Sequence, residues 1–115
     1  MREIILDTET TGLDPKKGHR LVEIGAVELI NHTPTGVNYQ TYINPERHVD
    51  PGAQAVHGLT TDFLKQQPTF SDISAEFTNF LSDSTLIIHN APFDLAFINM
   101  ELSNLGLTPI PSERI

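Results

Sequence analysis

No cysteine occurs among the 115 residues, which excludes disulfides, zinc–thiolate sites and a thiol nucleophile and is compatible with a reducing compartment. Basic residues are scarce, with seven Lys and Arg against fifteen Asp and Glu and a net charge of −8. That balance argues against a domain gripping long nucleic acid through a basic face, a mode that neutralises many phosphates. It leaves room for an enzyme holding a few nucleotides, because bound metal ions reverse the sign of the local field. No apolar run approaches the roughly 20 residues that span a membrane. Met1-Arg2-Glu3 leads directly into an apolar run, so the expectation is a cytoplasmic protein without membrane association. Repeats and low-complexity tracts are also missing, and with 38% hydrophobic and 19% charged residues the chain reads as one domain over 1–115.

What is present begins with Ile4-Ile5-Leu6-Asp7-Thr8-Glu9-Thr10-Thr11-Gly12. An apolar run delivers two carboxylates at alternate positions and stops at glycine, as a buried strand with a reactive end does. Strand side chains alternate faces, so Asp7 and Glu9 point one way and Thr8 the other. Two like charges so placed repel. With no Lys or Arg inside the stretch, a divalent cation held by hard oxygens is the natural neutraliser, although carboxylates at strand ends are also often simply solvated.

Turn chemistry over 13–19 separates this strand from a second at 21–30 and a third at 36–43, with 31–35 as the hairpin loop. Short links between three sequential strands predict an antiparallel meander. Residues 44–58 are irregular, with a short helix over 52–57 ending at Gly58. A second begins at Thr60 or Thr61 and stops before Pro68. Thr69 with Asp72 forms the capping signature of a helix whose Phe70, Ile73, Phe77, Phe80 and Leu81 follow helical spacing. Residues 85–89 repeat the first strand in miniature and read as a central parallel strand. Asn90 or Ala91 then caps a largely buried helix, with Pro92 in its first turn and Gly106 closing it. Asp94 falls in that first turn, where the helix dipole favours an acid. If the two apolar strands are parallel neighbours, Asp94 lies beside Asp7 and Glu9.

Asp7-Thr8-Glu9-Thr10-Thr11-Gly12-Leu13, Leu21-Val22-Glu23-Ile24-Gly25-Ala26-Val27, Val56-His57-Gly58-Leu59-Thr60, and His89-Asn90 with Phe93-Asp94 together resemble the successive signatures of the DEDD 3′–5′ exonucleases. They are most similar to the proofreading branch that serves bacterial DNA polymerase III. The resemblance implies an α/β, ribonuclease-H-like fold: a mixed sheet of three antiparallel strands continued by parallel ones and flanked by helices. It also implies a 3′–5′ DNA exonuclease hydrolysing phosphodiesters with two Mg²⁺ or Mn²⁺ ions and releasing nucleoside monophosphates. By motif match Asp7, Glu9 and Asp94 are the catalytic and metal-holding acids. Thr10, Leu13, His57, Asn90 and Phe93 meet the terminal nucleotide of a single-stranded DNA 3′ end. Each also has an ordinary role: His57 suits a helix-end cap, Phe93 a core, Asn90 a helix cap and Thr10 a turn.

The resemblance also calls for a fourth acidic ligand and a nearby histidine base. After Asp94 the only carboxylates are Glu101 and Glu113, and no histidine follows His89. Glu101 is seven residues along the same helix, about 10 Å up its axis. The reading is therefore a C-terminally incomplete exonuclease domain, weak or inactive alone, whose region for docking to the polymerase III catalytic subunit is absent. Two other readings keep the motifs and change the role: an RNA-trimming exonuclease, or a non-catalytic polymerase-docking module.

Overall fold

The computed structural model describes all residues, Met1–Ile115. Four strands form one sheet in the order β3-β2-β1-β4. β1 (Arg2–Thr10) pairs antiparallel with β2 (Leu21–Ile30) and parallel with β4 (Thr85–Ile87), and β2 pairs antiparallel with β3 (Thr33–Tyr42). The mixed sheet with its three-strand meander is the expected one. β4 is shorter than the strand expected over 85–89: it is three residues long and, with no further strand beside it, lies at the edge, paired only with β1. His89, expected to extend it, is exposed beyond its end, as is Asn90 before the helix that follows.

The β2–β3 connection is tighter than expected. Ile30 pairs with Thr33, leaving only Asn31 and His32 in the turn, both with positive φ (50° and 68°). That is the geometry of a two-residue hairpin turn, whose backbone twist matches the strands it joins. Strand β3 therefore starts at Thr33 and includes Pro34, which an edge strand tolerates because the N–H that proline lacks has no further strand to serve.

Short helices α1 (Pro51–His57) and α2 (Thr61–Leu64) follow, the first ended by Gly58 in the left-handed region and the second capped by the Thr60 hydroxyl. Helix α3 (Phe70–Leu81) begins at the expected reciprocal cap: the Asp72 N–H donates to Thr69 Oγ1, and the Thr69 N–H donates to the Asp72 carboxylate. Its Phe70, Ile73, Phe77 and Leu81 are buried against Ile4, Leu6, Ile24 and Leu86 of the sheet. Phe80 is half-buried, stacked near Tyr39 and beneath the Arg2 guanidinium.

Helix α4 (Ala91–Asn104) buries one face, carrying Phe97, Ile98 and Leu102 together with two acids, Asp94 and Glu101. It is less buried than expected, since Pro92 and Ala96 are exposed. Its N-terminal residue Asn90 has φ 54° and its side chain makes no capping bond. Asparagine adopts that left-handed turn more readily than most residues.

A separate small cluster of Val22, Val49 and Leu64 lies with α1 and α2, and helices α3 and α4 pack on one face of the sheet. On the other, Ile5 and its β4 partner Ile87 remain 42% and 41% exposed. No helix is long and apolar enough to cross a membrane.

Ser82, just after α3, is held at φ 48°, ψ −129°, a region natural to glycine and strained for a side chain. Ser82→Gly should stabilise the protein by about 1 kcal/mol, read as a higher urea midpoint with unchanged slope.

Candidate active site

The alternation of β1 sorts its C-terminal residues. Ile4, Leu6, Thr8 and Thr10 face the core, while Ile5, Asp7 and Glu9 face away from it. Helix α4 covers the core face, so Asp94 arrives on the side of Thr8: the Thr8 hydroxyl donates to Asp94 Oδ2 at 2.9 Å, and Asp94 is only 6% exposed. Asp7 is exposed and accepts the Thr8 N–H at 3.0 Å. Glu9 is half-buried and sits directly across from Glu23 of β2, like charge against like charge.

The consequences are electrostatic. Burial raises the Asp94 carboxyl above its ordinary range; the Thr8 hydrogen bond opposes this and Asp7 adds to it. Burial also raises Glu9, reinforced by Asp7, Glu23 and Asp94 and opposed by His57. Asp7, Glu9 and Asp94 thus meet at the end of β1 within electrostatic reach of one another. They do not form a finished cage, since no three His, Asp or Glu groups are spaced to enclose one ion. Asp7 and Glu9 lie on one face of the strand, while Asp94 is bonded toward the other. The donor set fits a hard divalent cation in kind: all oxygen, acidic, and with two members whose ionised forms are disfavoured as they stand.

Beside the acids opens a cleft of about 720 Å³, walled by Thr8, Glu9 and Thr10 on one side and by α1 on the other. Leu13 and Val56 line it and are 84% and 81% exposed. Phe93 lines it too, half-buried at 5.1 Å from the Phe97 ring. Of the residues expected to meet substrate, Thr10, Leu13, His57 and Phe93 are brought together here, and Asn90 is not among the lining residues. The reason is the left-handed turn at Asn90, which leaves it exposed at the start of α4.

His57 has little polar capacity left for a ligand. Its Nδ1 accepts the Leu59 N–H at 2.9 Å, so Nε2 carries the proton and donates to the Thr10 carbonyl at 3.0 Å. It fastens the end of α1 to the end of β1.

A second fastening escaped the sequence reading. Thr11 Oγ1 accepts the Arg20 N–H and shares a hydrogen bond with His19 Nδ1 at 2.9 Å, while His19 Nε2 lies 3.4 Å from Asp50 Oδ2. The His19 ring lies against Gly12, where an added Cβ would come within 2.4 Å of its Cε1. Lys17 and Val56, also unpredicted, complete the cleft wall. Nothing in the spacing of His19 within a loop marks it out; only a contact map would.

Two measurements check this geometry. Gly12→Ala should cost roughly 1–3 kcal/mol by displacing the His19 ring, visible in chemical unfolding. Asp94→Asn should do the opposite in metal-free protein. Because its folded pKa is raised, ionised Asp94 opposes folding at neutral pH, and this cost is relieved as pH falls through the folded pKa toward the ordinary carboxyl value of 3.8. The variant, whose amide oxygen still accepts from Thr8, should melt higher at neutral pH, with the gain shrinking on acidification.

Comparison with known proteins matches this geometry. The family model described as Exonuclease (RNase_T) matches residues 4–115. DNA polymerase III subunit epsilon of Rickettsia conorii is 58% identical over 110 residues, covering 96% of this chain and 48% of that protein. The subunit of the same name from Escherichia coli is 45% identical over 108 residues, covering 90% of this chain and 44% of the relative. The chain thus spans about half the length of the curated relatives it matches. Among solved structures, exonuclease X in complex with 5′ overhanging duplex DNA superposes with a TM-score of 0.71 at 26% identity, covering 95% of this chain and 55% of that one. The metal-free E. coli ExoI–ssDNA complex does so with a TM-score of 0.82 at 18% identity, covering 94% and 25%, a likeness of fold. A strand end bearing Asp7 and Glu9, a helix bringing Asp94 to it, and a family match over nearly every residue lead to one statement: the chain belongs to the RNase_T exonuclease family.

Proposed function

We propose that this chain carries the carboxylate edge and terminal-nucleotide cleft of a 3′–5′ DNA exonuclease of the proofreading type, a hydrolase acting on single-stranded 3′ ends. The observation that carries the reading is that Asp7, Glu9 and Asp94 lie within electrostatic reach of one another at the end of β1, with Glu9 lining an open, partly apolar cleft. Relatives named as polymerase III epsilon subunits support the substrate, and with it a polymerase catalytic subunit as partner in a bacterial cytoplasm.

Asp7, Glu9 and Asp94 would hold two divalent cations, Mg²⁺ or Mn²⁺. When bound, these supply an activated water and neutralise charge on the leaving 3′ oxygen. The chain's own residues do the rest of what is visible. Leu13 and Val56 offer apolar surface on opposite sides of the cleft to a flat base. Phe93 supplies a ring at its floor, and the Thr8 hydroxyl orients the Asp94 carboxylate. His57 is a poor candidate for the base, since both ring nitrogens are engaged within the protein. Beyond Asp94, Glu101 is committed to Arg20, and no residue is placed to take the proton of the attacking water. We therefore expect the 115 residues alone to hydrolyse slowly, by roughly 10²–10⁴ relative to a site with its base in place.

Labelled single-stranded DNA and RNA of the same sequence, incubated with Mn²⁺ and the longest natural form of the chain, test the assignment. The expected result is stepwise release of nucleoside monophosphates from the 3′ end of DNA, lost on chelation and reduced to background by Asp7→Ala. Preference for RNA would move the substrate to RNA trimming. An undiminished rate in Asp7→Ala would remove the catalytic reading altogether.

A further inference from the structure

Helix α4 carries two acids on the buried face that packs through Phe97, Ile98 and Leu102, and only one of them has a role in the proposed chemistry. Glu101, 2% exposed, lies two helical turns beyond Asp94, about 10 Å along the axis. Its carboxylate takes a forked grip from Arg20: Nε lies 3.1 and 3.0 Å from the two oxygens, and the second guanidinium nitrogen is 2.5 Å from Oε1. The Leu21 N–H adds a third donor at 3.2 Å. Arg20 is itself clasped to the end of β1, since its carbonyl accepts the Thr11 N–H at 2.9 Å and its N–H donates to the Thr11 hydroxyl at 3.0 Å. Its far side faces Glu46 at 3.8 Å.

The path from Glu101 through Arg20 to Thr11 therefore ends three residues from Thr8, the residue that holds Asp94. The same stretch of β1 fixes α4 at two points on one helix face. A single hydrogen bond from Thr8 does not set how far α4 slides along its axis or turns about it. A planar, charged, forked bond two turns away does. Other stabilising ion pairs lie elsewhere: Arg2 with Glu28, for instance, ties the opposite end of β1 to β2 and touches nothing in α4.

We propose that the Arg20–Glu101 pair is a positioning element of the active site, setting the place of α4 so that the Asp94 carboxylate meets the end of β1. The proposal rests on the exonuclease reading for its functional consequence, and on hydrogen bonds alone for its mechanical part. Glu101 touches neither substrate nor metal, and acts through Asp94.

The test uses the longest natural chain and three variants. Glu101→Gln keeps shape and one acceptor but loses the charge. Arg20→Lys keeps the charge but loses the fork. Arg2→Lys weakens a remote ion pair as a control. Three readouts are taken: Mn²⁺ affinity without DNA by calorimetry, amide hydrogen exchange in the first two turns of α4, and kcat with KM for single-stranded DNA. The expected result for Glu101→Gln is Mn²⁺ binding weaker by about tenfold, faster exchange around Asp94, and a fall in kcat with KM for DNA little changed. Arg20→Lys should lie between it and the wild type. Arg2→Lys should change the melting temperature while leaving Mn²⁺ affinity and exchange in α4 as they were. If Glu101→Gln lowers the melting temperature but leaves Mn²⁺ affinity and α4 exchange at wild-type values, the pair is a structural bond only and the proposal is overturned. An Asp94→Asn variant run alongside separates the two ideas. If it binds Mn²⁺ like the wild type, the exonuclease reading fails, and the exchange result still decides whether Glu101 positions α4.

Discussion

Everything in this molecule depends on one strand being required to serve two layers at once. The core face of β1 must be apolar at Ile4 and Leu6, where α3 and α4 pack. One step further along the same face it becomes polar at Thr8, where α4 delivers a carboxylate. The opposite face carries Asp7 and Glu9. Period-two alternation thus puts acids on both sides of a single backbone segment, and the plane of the sheet separates them. A strand shifted by one residue would bury Asp7 and expose Leu6, so the register with β2, Asp7 opposite Gly25 and Glu9 opposite Glu23, is as much a feature of the site as any side chain.

The cost of this arrangement is electrostatic and it is concentrated. Across the whole chain the net charge is −8, yet the acids whose ionisation the fold opposes are the two beside the cleft, Asp94 and Glu9. Two acids elsewhere are matched: Glu28 is held below its usual range by Arg2 and Thr35, and Glu101 receives both a guanidinium and a backbone N–H. Acids held against ionisation beside a cleft are a common property of functional sites. Around it the backbone is tied down by imidazoles. His57 and His19 join α1 and the residue preceding it to Thr10 and Thr11, so the cleft wall is rigid on the side where a nucleotide would enter.

What could be read from the sequence is what short-range physics controls. Alternation in β1, the Thr69–Asp72 cap and the glycine that ends α1 each involve a few neighbouring residues, and each is where it was expected. Motif order singled out Thr10, Leu13, His57 and Phe93, and these four line one cleft. The hairpin was misread because the turn residues Asn31 and His32 adopt positive φ without a glycine to announce it, and because Pro34 is an unusual strand residue. Two further features lay outside any local pattern. Arg20 and Glu101 are separated by 81 positions, and His19 acquires its partners only when the β1–β2 loop folds back over Gly12. Glu101 read as an acid too remote to share a metal with Asp94, and its bond to Arg20 was invisible.

The bare face of the sheet bears on Asp7. Ile5 and Ile87 stand open to water on the same side of β1 as this carboxylate. Water screens Asp7 there with nearly its full dielectric strength, which weakens its pull on a cation. Any layer of protein laid over Ile5 and Ile87 would strip that water from the base of Asp7, strengthening its attraction for a cation while penalising its ionised form, as burial does at Glu9 and Asp94. On this sheet, hydrophobic cover and the charge of Asp7 are coupled.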